Sequence, residues 1–192
     1  LWGDRRLWLL SFLYLGIATS FYGFSFWIPR FVGDALGQDA PSPVLVNLLS
    51  AIPYALAVVV MLLVSRAADR HVDKRLFVAV PLAVAALALF LSLPATGPWR
   101  LALISIATAA AFSSLGPAWA TPLQFLGGRA AAGGIAVINA VGNIGGFMAP
   151  LVMGRLMLRP QGDTLALAYL GGVLLVSAVL ALLATRRRRG SA

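Results

Sequence analysis

Glutamate and cysteine are absent from the 192 residues, and histidine and lysine occur once each, as His71 and Lys74. Without cysteine there is no disulfide and no thiolate metal site. The six acids, Asp4, Asp34, Asp39, Asp69, Asp73 and Asp163, all fall in connectors or tails between apolar runs, as does His71. A serine or threonine nucleophile needs a base beside it, and no apolar run offers one. No cluster of metal ligands is present, so no metal and no cofactor are expected, and the chain reads as no enzyme. Charge as a whole is scarce, at 11% of residues where a soluble domain carries about 25%.

What is abundant is apolar surface, at 60% of residues. No soluble core of this length hides so much, so lipid is part of the solvent. The net charge of +9 would suggest nucleic acid in a soluble protein. Here the basic residues punctuate long apolar runs, which is the pattern of a topology signal, and no nucleic-acid partner is expected.

Six runs approach the roughly 20 apolar residues needed to cross a bilayer: 7–31, 44–64, 76–93, 101–123, 130–157 and 165–184. "GDALGQDAPSP", "PATGP", "LGGR" and "RPQGD" carry turn signals between them. Every connector is short, which predicts antiparallel neighbours in one all-α, six-helix transmembrane domain spanning 1–192. With the N-terminus inside, eleven basic residues lie on the cytoplasmic side: Arg5, Arg6, Arg66, Arg70, Lys74, Arg75, Arg129 and the four arginines at 186–189. Four lie outside: Arg30, Arg100, Arg155 and Arg159. Both termini are therefore expected to be cytoplasmic. The arginine run at 186–189 reads as a stop-transfer anchor near anionic lipid. Beginning on Leu1, the chain reads as a fragment.

The polarity left inside the spans is neutral. In the fifth, Ala132, Ala136, Asn139, Asn143, Gly146 and Pro150 recur at four- and three-residue steps, which puts them on one helical face. Two readings compete. Small residues let helices approach while amides bond to a neighbour, or the amides line a water-filled cavity near the midplane. Tyr14, Ala18, Phe21, Tyr22 and Ser25 share a face of the first span, so its two phenols either look into a cavity or pack between helices. Trp27, Pro29 and Arg30 are expected to end that helix at the outer interface, with Arg30 a snorkelling cation or an attractor of anions. "GPAWATP" brackets Trp119 and Thr121 with prolines that bend the fourth span, as a gate, a cavity wall or plain packing.

Four stretches carry a family resemblance. "YGFSFWIPRF", "AIPYALAVVVMLLVSRAADRHVDKR", "GPAWATPLQFLGG" and "AAGGIAVINAVGNIGGFMAPLVMG" resemble, in order, the seventh, eighth, tenth and eleventh helices of major facilitator superfamily transporters. Within these, the anion:cation symporters are the nearest likeness. The resemblance implies the C-terminal six-helix half of a twelve-helix protein in the cell (inner) membrane. It implies alternating access for a small organic anion, such as a sugar acid or aromatic carboxylate, coupled to H+ or Na+. The implied partners are the N-terminal six-helix half and the bilayer.

By the same resemblance the substrate sits between the halves, with Tyr14 or Tyr22, Trp119, Thr121, Asn139 and Asn143 as wall residues. The family's anion-binding arginine and protonatable carboxylates lie mainly in the other half, in keeping with the acid-free spans here. The loop "SRAADRHVDKR" is similar to the superfamily's G-x-x-x-D-R-x-G-R-R. It departs at Ser65 and Val72, where glycine is usual, and in a basic pair displaced by one residue. Asp69, Arg70 and Arg75 remain, and a cytoplasmic charge network carries over to those three. A standalone six-helix protein with a structural or regulatory role is the competing expectation.

Overall fold

The computed structural model describes residues 3–37, 42–124 and 128–184. Asp39 and the arginine run at 186–189 lie outside them, and Arg129 is described for its backbone alone. The described residues form α1 (Arg5–Leu36), α2 (Pro43–Leu49), α3 (Ala51–Asp69), α4 (Arg75–Ser92), α5 (Gly97–Ser113), α6 (Leu115–Ala120), α7 (Gly128–Met157) and α8 (Gly162–Ala184), with a 3-10 turn at Pro122–Gln124. Taken with α2 joined to α3 and α5 joined to α6, they provide six crossings long and apolar enough for a membrane.

The ends and breaks of these helices follow from local chemistry. Asp4 caps α1 by accepting a 2.9 Å bond from the Arg6 amide, and Gly37, at φ 84°, ends it in the left-handed region. Proline removes a donor and crowds the carbonyl four residues before it. For Pro53 and Pro117 that residue is Leu49 and Ser113, where α2 and α5 stop. At each break a serine three residues before the proline turns its hydroxyl onto a carbonyl of the preceding turn. Ser50 donates to Val46 O at 2.7 Å and Ser114 to Ala111 O at 2.7 Å.

Pro29, Pro81 and Pro150 lie inside unbroken helices. The expectation that Trp27, Pro29 and Arg30 end the first helix is thereby corrected: α1 runs on to Leu36. Phe31, Val32 and Ala35 are buried, so packing beyond the proline outweighs its local cost.

α1 lies at the centre. It packs on α7 and α8 and touches α5, α4 joins α8 to α5, and α3 packs on α5. Phe24, Ile28 and Phe31 of α1, Leu82 and Leu89 of α4, Ile104 of α5 and Leu170 and Leu174 of α8 form the fully buried centre. In lipid, helix association rests on close packing rather than on escape from water, and small residues mark the closest approaches. A Cβ on Gly23 would lie 2.8 Å from Leu170, one on Gly171 3.1 Å from Phe90, and one on Gly116 2.6 Å from the Ser65 hydroxyl. The last contact seats the Ser65 hydroxyl of α3 directly against Gly116 of α6.

The buried hydroxyls add little glue between helices. Ser11, Thr19, Ser20, Thr108 and Ser177 each donate to a carbonyl four residues back in their own helix. Burial is uneven among the crossings. Only 22% of the most apolar stretch of α7 and 17% of that of the α2–α3 crossing is buried, against 44–61% in the other four. These two crossings have the most surface free for another partner.

Candidate functional site

The repeat in the fifth span resolves into two faces of α7. Gly134, Ile138, Gly142, Gly145, Ala149 and Met153 are buried, while Ala132, Ala136, Asn139 and Asn143 are exposed. The buried face fits α1 with no room to spare. A Cβ on Gly142 would strike the Tyr14 ring, and one on Gly145 would strike the Leu15 carbonyl and the Thr19 hydroxyl. A Cβ on Gly146 would lie 2.6 Å from the Tyr22 ring. These glycines bring both phenols of α1 beside the amides of α7.

Among the described residues, the side-chain bonds of the exposed amides stay within α7. Asn143 Nδ2 donates to the Asn139 backbone carbonyl at 2.9 Å and lies 3.2 Å from Asn139 Oδ1. A carbonyl acceptor fixes which end of the amide is nitrogen, so Asn143 Oδ1 remains an acceptor for something else.

Asn143, Tyr14 and Tyr22 line one cavity of about 190 Å³ with Ala18, Phe21 and Leu115. Trp119 stands behind Tyr14, edge to face with ring centroids 4.5 Å apart. It packs toward Leu10, Ile17 and Ile138 rather than into the cavity. Thr121 is buried and donates its hydroxyl to Pro117 O at 2.9 Å, away from the cavity lining. Of the expected wall residues, then, three share a cavity, Asn139 and Trp119 each touch one of those three, and Thr121 stands apart.

Sequence reasoning passed over the backing of the wall. Phe21 stacks on Phe112 of α5 at 4.8 Å and meets Tyr22 edge to face at 5.6 Å. Tyr54 of α3 lies 6.1 Å from Phe112 and donates weakly to Phe24 O at 3.5 Å. Tyr54 is the sole aromatic of its span, a signal that was available. Leu115 carried none. The cavity is lined by no charged residue, and no group of three or more metal-ligating side chains occurs among the described residues.

The ionic groups sit at the two ends of the bundle. At one, Arg30 donates to Asp163 at 3.0 Å and lies 3.9 Å from Asp34, tying α1 to the first turn of α8. This engages Arg30 internally. At the other, Asp69 pairs with Lys74 at 3.7 Å, and Lys74 also donates to Ala68 O at 3.0 Å. Arg75 Nε donates to Asp73 at 2.7 Å, while Arg70 is exposed and belongs to neither pair. Among the described residues the loop thus holds two short-range pairs, Asp69 with Lys74 and Asp73 with Arg75.

A multi-pass bundle with a neutral, aromatic and amide-lined cavity beside an uncovered helix face has the form of a solute transporter. The chain belongs to the Major Facilitator Superfamily, whose profile matches residues 1–150. It is 34% identical over 178 residues to a quinolone resistance transporter of Acinetobacter baumannii, covering 92% of this chain and 40% of that protein. It is 33% identical over 184 residues to a candidate tartrate transporter of Agrobacterium vitis, covering 95% and 40%. Over 178 residues it is 32% identical to the inner membrane transport protein RhmT of Escherichia coli K12, covering 92% and 39%. The chain therefore spans about 40% of the length of these relatives. It is a partial chain of a family of transporters.

Proposed function

We propose that the chain is the C-terminal half of a secondary transporter that moves an organic anion by alternating access, coupled to a proton or sodium gradient. The single observation that carries this reading is the cavity shared by Tyr14, Tyr22 and Asn143, beside the exposed Asn139–Asn143 face of α7. A neutral wall of phenols and amides can hydrogen-bond a substrate without the cost of burying a charge. The partner half then supplies the cation for the carboxylate and the acid for coupling. Two relatives named for tartrate support the organic-anion class. The eleven-to-four distribution of basic residues supports an inner-membrane orientation with the Arg5 and Arg75 end in the cytoplasm.

The test is uptake by the full-length protein in proteoliposomes, across sugar acids and aromatic acids, with and without an imposed proton or sodium gradient. Gradient-driven accumulation of one of these anions is expected. Accumulation of neutral or cationic solutes alone would overturn the reading, as would the absence of a second six-helix half in the full-length gene.

A further inference from the structure

We propose that Asp34 and Asp163 form a proton-binding site at the Arg30 end of the bundle. One proton held between the two carboxyls fastens α1 to α8, and when it passes to water Asp34 turns to Arg100 of α5. The site goes beyond the transporter reading and does not rest on it, since no substrate takes part.

Three helices meet there. Arg30 Nε donates to Asp163 at 3.0 Å and lies 3.9 Å from Asp34, so one guanidinium nitrogen faces both acids. The two acids also hydrogen-bond to each other. A carboxylate has only acceptors, so this bond exists only with a proton on one of them, the state that closely placed carboxyls adopt. Asp34 carries the proton and donates, and Asp163 accepts.

Among the described residues, the charged groups that face the pair are Arg30 of α1 and Arg100 of α5. Arg100 Nε and Nη2 are buried with no hydrogen-bond partner. Guanidinium donors left in that condition are costly, and an ionised Asp34 supplies the acceptor they lack.

Both acids lie outside the apolar runs 7–31 and 165–184, and both side chains are part-exposed. Water can therefore deliver and remove the proton. Burial, and after it the bond to Asp163, pushes Asp34 up to about 6. Burial alone would raise Asp163 as well, but the bonds from Asp34 and Arg30 outweigh it and hold that carboxyl below its ordinary value. The fastening is thus complete in acid and is lost as pH rises through about 6, with Asp163 ionised throughout that change.

The test follows the full-length protein from about pH 5 to about pH 8, by infrared difference spectroscopy of the protonated carboxyl band and by melting temperature. The parent is compared with Asp34→Asn, Asp34→Ala, Arg100→Gln and Arg100→Lys. The parent should lose one carboxyl signal with a midpoint of about 6, and that signal should be missing from Asp34→Asn. An amide donates to Asp163 at every pH, so Asp34→Asn should match the parent's melting temperature at the acid end and exceed it at the alkaline end. Asp34→Ala should melt below the parent at the acid end. Arg100→Gln should move the midpoint upward by roughly one pH unit, while Arg100→Lys, which keeps the charge, should leave it near the parent's value.

A carboxyl signal that Asp34→Asn leaves unchanged overturns the proposal, and so does a melting temperature for that variant below the parent's at the alkaline end. A midpoint that Arg100→Gln does not move overturns the exchange of partners. Should Arg100→Gln fail to fold, the Asp34→Asn comparison still decides the site.

Discussion

The two faces of α7 are built from the same few residue types and do opposite things. One buries Gly142 and Gly145 against backbone and ring atoms of α1; the other leaves Asn139 and Asn143 exposed beside a cavity. From sequence both look like packing, since small residues and amides are the usual materials of helix contacts in membranes. The difference shows that glycine sets how close α1 comes, and that closeness decides which side chains the amides meet. Tyr14 and Tyr22 reach Asn143 because nothing projects from α7 at 142 and 146.

This contrast can be broken from either side. The largest effect is expected from Gly145→Leu, because the added side chain meets the Leu15 carbonyl, which cannot rotate away. A loss of about 3 kcal/mol or more is expected, seen as failure to recover monodisperse full-length protein. Gly154→Leu is the matched control, since a Cβ there meets nothing within 4 Å. Equal yields from the two variants would remove the packing half of the account.

Gly142→Leu comes next. Its obstacle is the Tyr14 ring, a side chain that can move, so the protein should fold with Tyr14 displaced. Transport should fall at least tenfold, and retained uptake would show that Tyr14 is not part of the path. Asn143→Ala should leave thermal stability nearly unchanged, within about 0.5 kcal/mol, while KM rises roughly tenfold for the loss of a hydrogen bond worth about 1 to 1.5 kcal/mol. A large drop in melting temperature would instead return the amides to the packing side. The smallest effect belongs to Arg30→Gln. That guanidinium is half exposed, and such pairs contribute about 0–1 kcal/mol, so a melting temperature lower by a few degrees at most is expected.

How much of this was legible in the sequence depends on the range of the interaction. The six crossings follow from apolar length alone, and the pairing of Asn139 with Asn143 follows from a four-residue step. The breaks in α2–α3 and α5–α6 were half legible. Both follow the pattern Ser-x-x-Pro, at Ser50–Pro53 and Ser114–Pro117, whereas Pro29, Pro81 and Pro150 lack the serine and sit in continuous helix.

The remainder needed three dimensions. Phe21 and Phe112 lie on different helices, and nothing in either span says that they stack. Thr121 looked like a wall residue beside Trp119, but a threonine near proline has a carbonyl of its own helix within reach, and Thr121 takes it. In the loop, Asp69 pairs with Lys74 and Asp73 with Arg75, contacts five and two residues away that order little chain.

The central claim is that the Asn139–Asn143 face of α7 borders the transport path. Its most direct test is Asn143→Cys in the full-length protein, with any cysteine elsewhere in the protein replaced, since this chain supplies none. Labelling by a polar, membrane-impermeant maleimide is measured with and without transported substrate. The account predicts that the thiol is labelled and that substrate slows the reaction. A thiol that resists labelling in every state, together with normal transport by Asn143→Ala, would contradict it.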